Sequence, residues 1–315
     1  MAKKKETQLN VGGRWTVVIV VMLCLALISF ITAFVIGLFV SGSELEASGN
    51  VAHIKVVGPI LSADSGGFMS SGVTVSTDVV KFIEKADENP EVSAILLEVN
   101  SPGGTPVASY EIVDAVKNSN KTTVAWIREA GASGAYWVAS ACDHVVANPM
   151  SLTGSIGVIG SYIEWEGTLH KYNASYRRLV SGEYKDMGSP FKTMSEEEED
   201  IMNANLAALR SIFVQDVAAN RGLEVSAVDA IADGRWYLGQ QAYELGLVDQ
   251  LGGKKHAVMW IEDKEEIEAS LAEYAKPKSF AELLTEMFSG NSFEMGRGIG
   301  KSLLEQDNGG VSLVT

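Results

Sequence analysis

From Trp15 to Val40 the chain reads WTVVIVVMLCLALISFITAFVIGLFV, 26 residues without a charge. No other segment restricts the fold as much. About 20 apolar residues cross a bilayer as a helix, which satisfies its own backbone groups inside the hydrocarbon. The apolar core of a secretory signal peptide is shorter, about 7–15 residues. The run therefore reads as an uncleaved anchor. Lys3, Lys4, Lys5 and Arg14 precede it, whereas Glu44 and Glu46 follow it and the next basic residue is Lys55. Positive charge is retained on the cytoplasmic side. The sequence thus predicts a cytoplasmic basic N-terminus over residues 1–14, a single membrane pass contacting lipid over 15–40, and a polar linker over 41–50. Everything beyond lies outside the cell membrane.

The charge balance differs on the two sides of this span. The first 43 residues carry four basic and one acidic side chain, which leaves −18 on the remainder of a chain whose net charge is −15. So acidic a domain argues against nucleic acid as a partner and against docking on anionic lipid. Cys24 lies in the span and Cys142 in the domain, so no disulfide is expected. Neither CxxC nor HExxH occurs, and the four histidines are scattered. No metal site and no cofactor are expected.

Beyond the linker, apolar runs alternate with amphipathic ones. Strand patterns occur at VAHIKVVGPI from Val51, AILLEVN (94–100), TTVAWI (122–127), HVVANP (144–149) and SIGVIGSYIEW (155–165). Helical spacing places Val79, Phe82, Ile83 and Ala86 on one face, and another helix is expected from Pro106 to Lys117. Near-continuous apolar strands separated by short helices indicate an α/β domain with a largely parallel sheet. Ser195 with Glu198 forms a capping box before a long helix bearing Ile201, Leu206, Leu209, Ile212 and Phe213. After residue 262 the pattern weakens, so the domain is expected over 51–262 and a peripheral tail over 263–315.

Three glycine-rich loops follow predicted strands, where parallel sheets bind ligands. They are Pro102-Gly103-Gly104, Gly131-Ala132-Ser133-Gly134-Ala135 and Thr153-Gly154-Ser155-Ile156-Gly157. A serine on a sharp strand-to-helix turn can act as a nucleophile. It then needs a base. Ser133, Asp249 and His256 follow the chain order of an α/β-hydrolase triad, but Asp249 and His256 are only seven residues apart and GGKKHA looks solvated. A lysine serves instead when it is neutral, a state that burial favours. Lys185 in SGEYKDMGSP is one candidate among many lysines; in an extended segment Asp186 would face away from it and Glu183 would share its face.

Five motifs in order carry a family resemblance: NSPGG (100–104), ASGAYWVASACD (132–143), SLTGSIGVIG (151–160), SGEYKD followed by SP (181–190), and DGRWYLGQQAYELGLVDQLGG (233–253). Over roughly Val51 to Trp260 the chain resembles the signal peptide peptidase A family, peptidase family S49, in its short, single-repeat, membrane-anchored form. The resemblance implies a ClpP/crotonase-like α/β fold of repeated strand-strand-helix units and serine endopeptidase activity through a Ser-Lys dyad. Matched residue by residue, Ser133 is the nucleophile, Lys185 the base 52 residues later, and Ser155 the hydroxyl that holds the lysine amine. Gly104 and Gly134 match the oxyanion-hole donors. Ala135 replaces a glycine common in the family. The resemblance further implies a homo-oligomeric ring with pockets completed between neighbours, and substrates such as signal-peptide remnants or other short apolar polypeptides. Two other readings compete. A crotonase-type acyl-CoA enzyme leaves the anchor unexplained, and a non-catalytic membrane scaffold leaves the retention of Ser133 and Lys185 unexplained.

Overall fold

The computed structural model describes residues 11–42, 48–63 and 72–276. Most of the expected basic N-terminus, part of the linker and the end of the tail lie outside the described residues. The chain divides into two units, Met1–Glu46 with Pro277–Thr315, and Ala47–Lys276.

In the first unit, α1 (Val11–Gly42) is a single helix of 32 residues, about 48 Å at 1.5 Å per residue. Its Val17–Phe34 window has mean hydropathy 3.0 and no buried residue. That length and composition suffice to cross a bilayer.

The second unit is built around one sheet. The chain enters through β1 (Val51–Val57) and makes a small parallel pair from β2 (Ile60–Leu61) and β3 (Thr74–Val75). Next come α2 (Ser76–Glu88), β4 (Ala94–Ser101), α3 (Pro106–Asn118) and β5 (Thr122–Ala132). α4 (Gly134–Ser140), β6 (His144–Ala147), β7 (Leu152–Gly154), α5 (Glu166–Lys171) and α6 (Glu196–Arg221) follow. The unit closes with α7 (Val225–Ile231), β8 (Trp236–Leu238), α8 (Gly239–Glu244), β9 (Gln250–Leu251), α9 (Lys254–Glu265) and β10 (Leu271–Tyr274).

The sheet runs in the order β10-β1-β4-β5-β6-β9, with β7 beside β5 and β8 beside β7. All pairs in it are parallel except β7–β8. Side chains alternate between two apolar layers, as strand geometry requires. Ile95, Leu97 and Val99 of β4 join the larger core with Ile112 and Val116 of α3 and Val214 and Val217 of α6. Ala94 and Leu96 face the other way, onto Ala257 and Ile261 of α9. Coverage of both faces explains why β4 is apolar almost throughout.

β5 changes partner along its length. Val124–Ile127 pair with β6, whereas Ala130–Ala132 pair with β7. The register against β4 slips between Val99 and Ser101, from Ile127 to Gly131. This irregularity carries the end of β5 off the main plane of the sheet.

Three expectations change. Residues 155–165 do not continue as a strand: pairing stops at Gly154, because β5 ends at Ala132 and β8 offers only three residues. The sheet also extends past residue 262, since β10 pairs in parallel with β1 from Val51↔Leu271 to Ile54↔Tyr274. Residues 263–276 therefore belong to the compact unit. In α6, the capping box forms as expected, and Gly222 ends the helix with a left-handed φ of 62°. Of the five apolar residues expected on its face, however, only Phe213 is buried, while Leu209 and Ile212 are exposed.

Candidate active site

Ser133 stands between β5 and α4 with φ 53° and ψ −128°, a conformation that L residues rarely adopt. Such a conformation costs about 1–3 kcal/mol and persists only where the surroundings enforce it. Here they do. Its N–H donates to Gly154 O at 2.8 Å, and its carbonyl accepts from Trp137 N at 3.0 Å. The helix that follows, GAYWVAS, is buried at every residue, so the turn cannot relax without moving the core.

The SPGG loop packs against this turn. Ser101 is fully buried and its hydroxyl accepts from Gly103 N at 3.0 Å. Gly103 has φ 97°, and a Cβ there would lie 2.8 Å from both Ala132 O and Gly134 N. Gly104 bridges Ile60: Ile60 N donates to Gly103 O and Thr105 N donates to Ile60 O, each at 3.0 Å. Those flanking groups make the bridge, so the N–H of Gly104 is directed to the opposite side. A Cβ on Gly104 would overlap the Ile60 backbone, and one on Gly134 would overlap Ser109 Oγ and lie 3.4 Å from Gly104 N. Gly134 opens α4, where a helix supplies no acceptor for its first amides. The Gly104 and Gly134 amides thus lie close together beside the Ser133 turn. Such a pair suits a carbonyl oxygen that gains negative charge.

These residues line a cavity of about 790 Å³ together with Ser155. Its other walls are mainly apolar, including Val107, Tyr110, Trp137, Ile159, Ile212 and Phe213. The Trp137 and Phe213 rings stack at 4.9 Å, and Trp137 Nε1 donates to Asp216 at 3.0 Å. Among the described residues, no histidine, cysteine or lysine lines it.

Ser155 also takes a positive φ, 50°, directly after Gly154 at 73°. Its hydroxyl donates to Gly234 O at 3.1 Å and its N–H to Arg235 O at 2.9 Å. Ser133, Gly104, Gly134 and Ser155 are therefore brought together.

Lys185 is not among them. It is exposed and lies in turns spanning residues 183–188, not in an extended strand. Strand alternation accordingly fixes neither Asp186 nor Glu183 relative to it. Asp186 instead receives Arg178 Nε at 2.8 Å, and this pairing holds its carboxyl below the usual carboxylate range. Tyr184 bonds to Glu197, which pushes its phenol up to about 12. Burial beside Ser155, expected from sequence, is not supplied to Lys185 by the described residues of its own chain. The alternative base fares no better: His256 Nδ1 accepts from Gly253 N at 3.1 Å, while Asp249 pairs with Arg221, so both serve local structure.

Sequence reasoning missed two contributors. Gly103 was grouped with Gly104, but its own close approach to Ser133 appears only once the two loops meet. The Asp233-Gly234-Arg235 turn opens the last of the five motifs, and the carbonyls of Gly234 and Arg235 hold Ser155.

Residues 115–268 match the model of peptidase family S49. The chain is 32% identical over 246 residues to a Methanocaldococcus jannaschii protein named "Putative protease", covering 75% of this chain and 77% of that one. It is 36% identical over 234 residues to a Synechocystis protein of the same description, covering 72% and 80%. Identity to the "Putative signal peptide peptidase SppA" of Enterococcus faecium is 32% over 235 residues, covering 73% and 68%. The expected ClpP-like α/β domain, preceded by one apolar helix, agrees with this match. The chain belongs to peptidase family S49, and it is a protease.

Proposed function

We propose that the chain is a membrane-anchored serine endopeptidase that cleaves signal-peptide remnants or other short apolar polypeptides. The strained Ser133 turn at the wall of an apolar cavity carries this reading, because two backbone donors adjoin it. Ser133 attacks the peptide carbonyl, Lys185 takes its proton, and Gly104 and Gly134 hold the oxyanion. Each such donor is typically worth about 3–4 kcal/mol. The lysine ammonium gives that proton to the amine nitrogen as the C–N bond breaks, and water then hydrolyses the acyl ester on Ser133.

Lys185 comes from a neighbouring copy in a homo-oligomeric ring. Two observations support this. Its amine makes no ion pair among the described residues. The surrounding stretch also leaves Ile159, Ile163, Tyr172 and Leu179 between 66% and 94% exposed, which suits burial against another subunit. The apolar α1 is the anchor, with the N-terminus in the cytoplasm and the catalytic unit outside. Its hydropathy and the flanking lysines support that topology.

Ser133→Ala and Lys185→Ala are each expected to abolish hydrolysis and labelling by a fluorophosphonate, while His256→Ala is nearly silent. Co-produced, the two inactive variants regain part of the activity. An active Lys185→Ala protein would remove the dyad, and an inactive mixture would remove sharing between copies.

A further inference from the structure

A hydroxyl has one hydrogen to give. In Ser155 that hydrogen goes to Gly234 O at 3.1 Å, so the lone pairs of Oγ remain for an incoming donor on the cavity side. The carbonyl that takes it is itself held. Asp233 Oδ1 accepts from Arg235 N at 3.1 Å, and Asp233 Oδ2 from Arg235 Nε at 2.7 Å. Gly234 has φ 86°, and a Cβ on Gly157 would lie 3.3 Å from Gly234 Cα. The loop after Ser155 and the 233–235 turn therefore lie backbone to backbone.

We propose that the Asp233-Gly234-Arg235 turn is a positioning device for the reaction. It locks the Ser155 hydroxyl as an acceptor, so that Ser155 can only receive an N–H from the base. This inference rests on the Ser-Lys reading and adds a part that reading does not contain. A neutral lysine amine donates one N–H to Ser155 Oγ, which turns its lone pair toward Ser133. As the Ser133 Oγ–C bond forms, the amine takes the hydroxyl proton and becomes ammonium, and the carbonyl π pair moves onto the oxyanion. With a freely rotating Ser155, the same hydroxyl would offer its hydrogen to the amine lone pair and compete for it.

The test is a double-mutant cycle on the full chain in detergent, with hydrolysis of an apolar peptide ester as the readout. Asp233→Ala releases the turn. It is expected to lower kcat about 10-fold, the scale of a small misplacement in an active site, and to leave KM within about two-fold. Asp233 is exposed, so Tm should stay within about 2 °C. Asp233→Asn, which retains an acceptor for Arg235 N, keeps at least about half of the rate. In a Ser155→Ala background Asp233→Ala should have no further effect, because no hydroxyl remains to orient. Additive losses, an equal loss in Asp233→Asn, or a rise in KM at constant kcat would overturn the proposal. Lys185→Ala, assayed alongside, separates the two levels: if it stays active the dyad fails, and if it is inactive while the losses add, only the positioning role fails.

Discussion

Ser133→Gly separates the stability of the nucleophile turn from its chemistry. An L residue at φ 53°, ψ −128° is disfavoured by about 1–3 kcal/mol. Glycine removes that penalty, and its greater freedom in the unfolded chain returns about 0.5–1 kcal/mol. With central values of about 2 kcal/mol for the strain and about 0.75 kcal/mol for the unfolded-chain term, the difference favours the variant by about 1.25 kcal/mol. Ser133→Ala is the proper reference, since it loses the same hydroxyl and keeps the Cβ that creates the strain. For a domain of 150–250 residues, 1 kcal/mol moves Tm by about 2–4 °C. Ser133→Gly should therefore melt about 2.5–5 °C above Ser133→Ala, followed by tryptophan fluorescence in detergent. Both lack the proposed nucleophile, so self-digestion does not distort the comparison. A Tm for Ser133→Gly equal to or below that of Ser133→Ala would refute the assignment of strain to this turn.

His53 is buried, with Nε2 2.9 Å from Glu98 Oε2. Burial and then the Lys254 charge lower its pKa from 6.5, against the opposing pull of Glu98. The unfolded chain therefore takes up this proton first as pH falls. The stability held by neutral His53 is present above its ordinary pKa of about 6.5 and is lost as pH falls toward and through its lowered folded value, so Tm should decline below about pH 6.5. His53→Gln should flatten that part of the curve; an unchanged slope would show that another group is responsible. For topology, protease added to intact cells should remove a tag at Thr315 and spare one at Met1, and the reverse protection would contradict the proposed orientation.

The strands and helices of the sheet were legible because burial on two faces leaves a mark on composition. AILLEVN and TTVAWI could hardly be anything but covered strands, and both lie in the sheet. The two-partner course of β5 left no such mark, because register slips depend on which neighbours remain available. For the same reason, SIGVIGSYIEW reads as a strand and pairs only through the residues just before it. At the site, small residues around Ser133 signalled a sharp turn, and the structure supplies its dihedral angles. The glycines of SGEYKDMGSP mark turns on either side of Lys185, but that the turn runs through Lys185 itself is not legible, since the ion pair of Asp186 with Arg178 joins residues whose meeting no local periodicity announces.

The burial of α4 and the exposure of the Lys185 segment place the two proposed partners in different dynamic regimes. Amides at the end of β5 and in α4 are covered by the core, so their hydrogen exchange requires openings close to global unfolding. In a single copy residues 159–185 are mostly exposed, so they are expected to open at lower free energy until a neighbouring copy covers them. The nucleophile is thus expected among the slowly exchanging amides of each copy, whereas protection of the base depends on assembly. Substitutions around the base can change the rate of the enzyme with little effect on its melting, whereas those around Ser133 register in both.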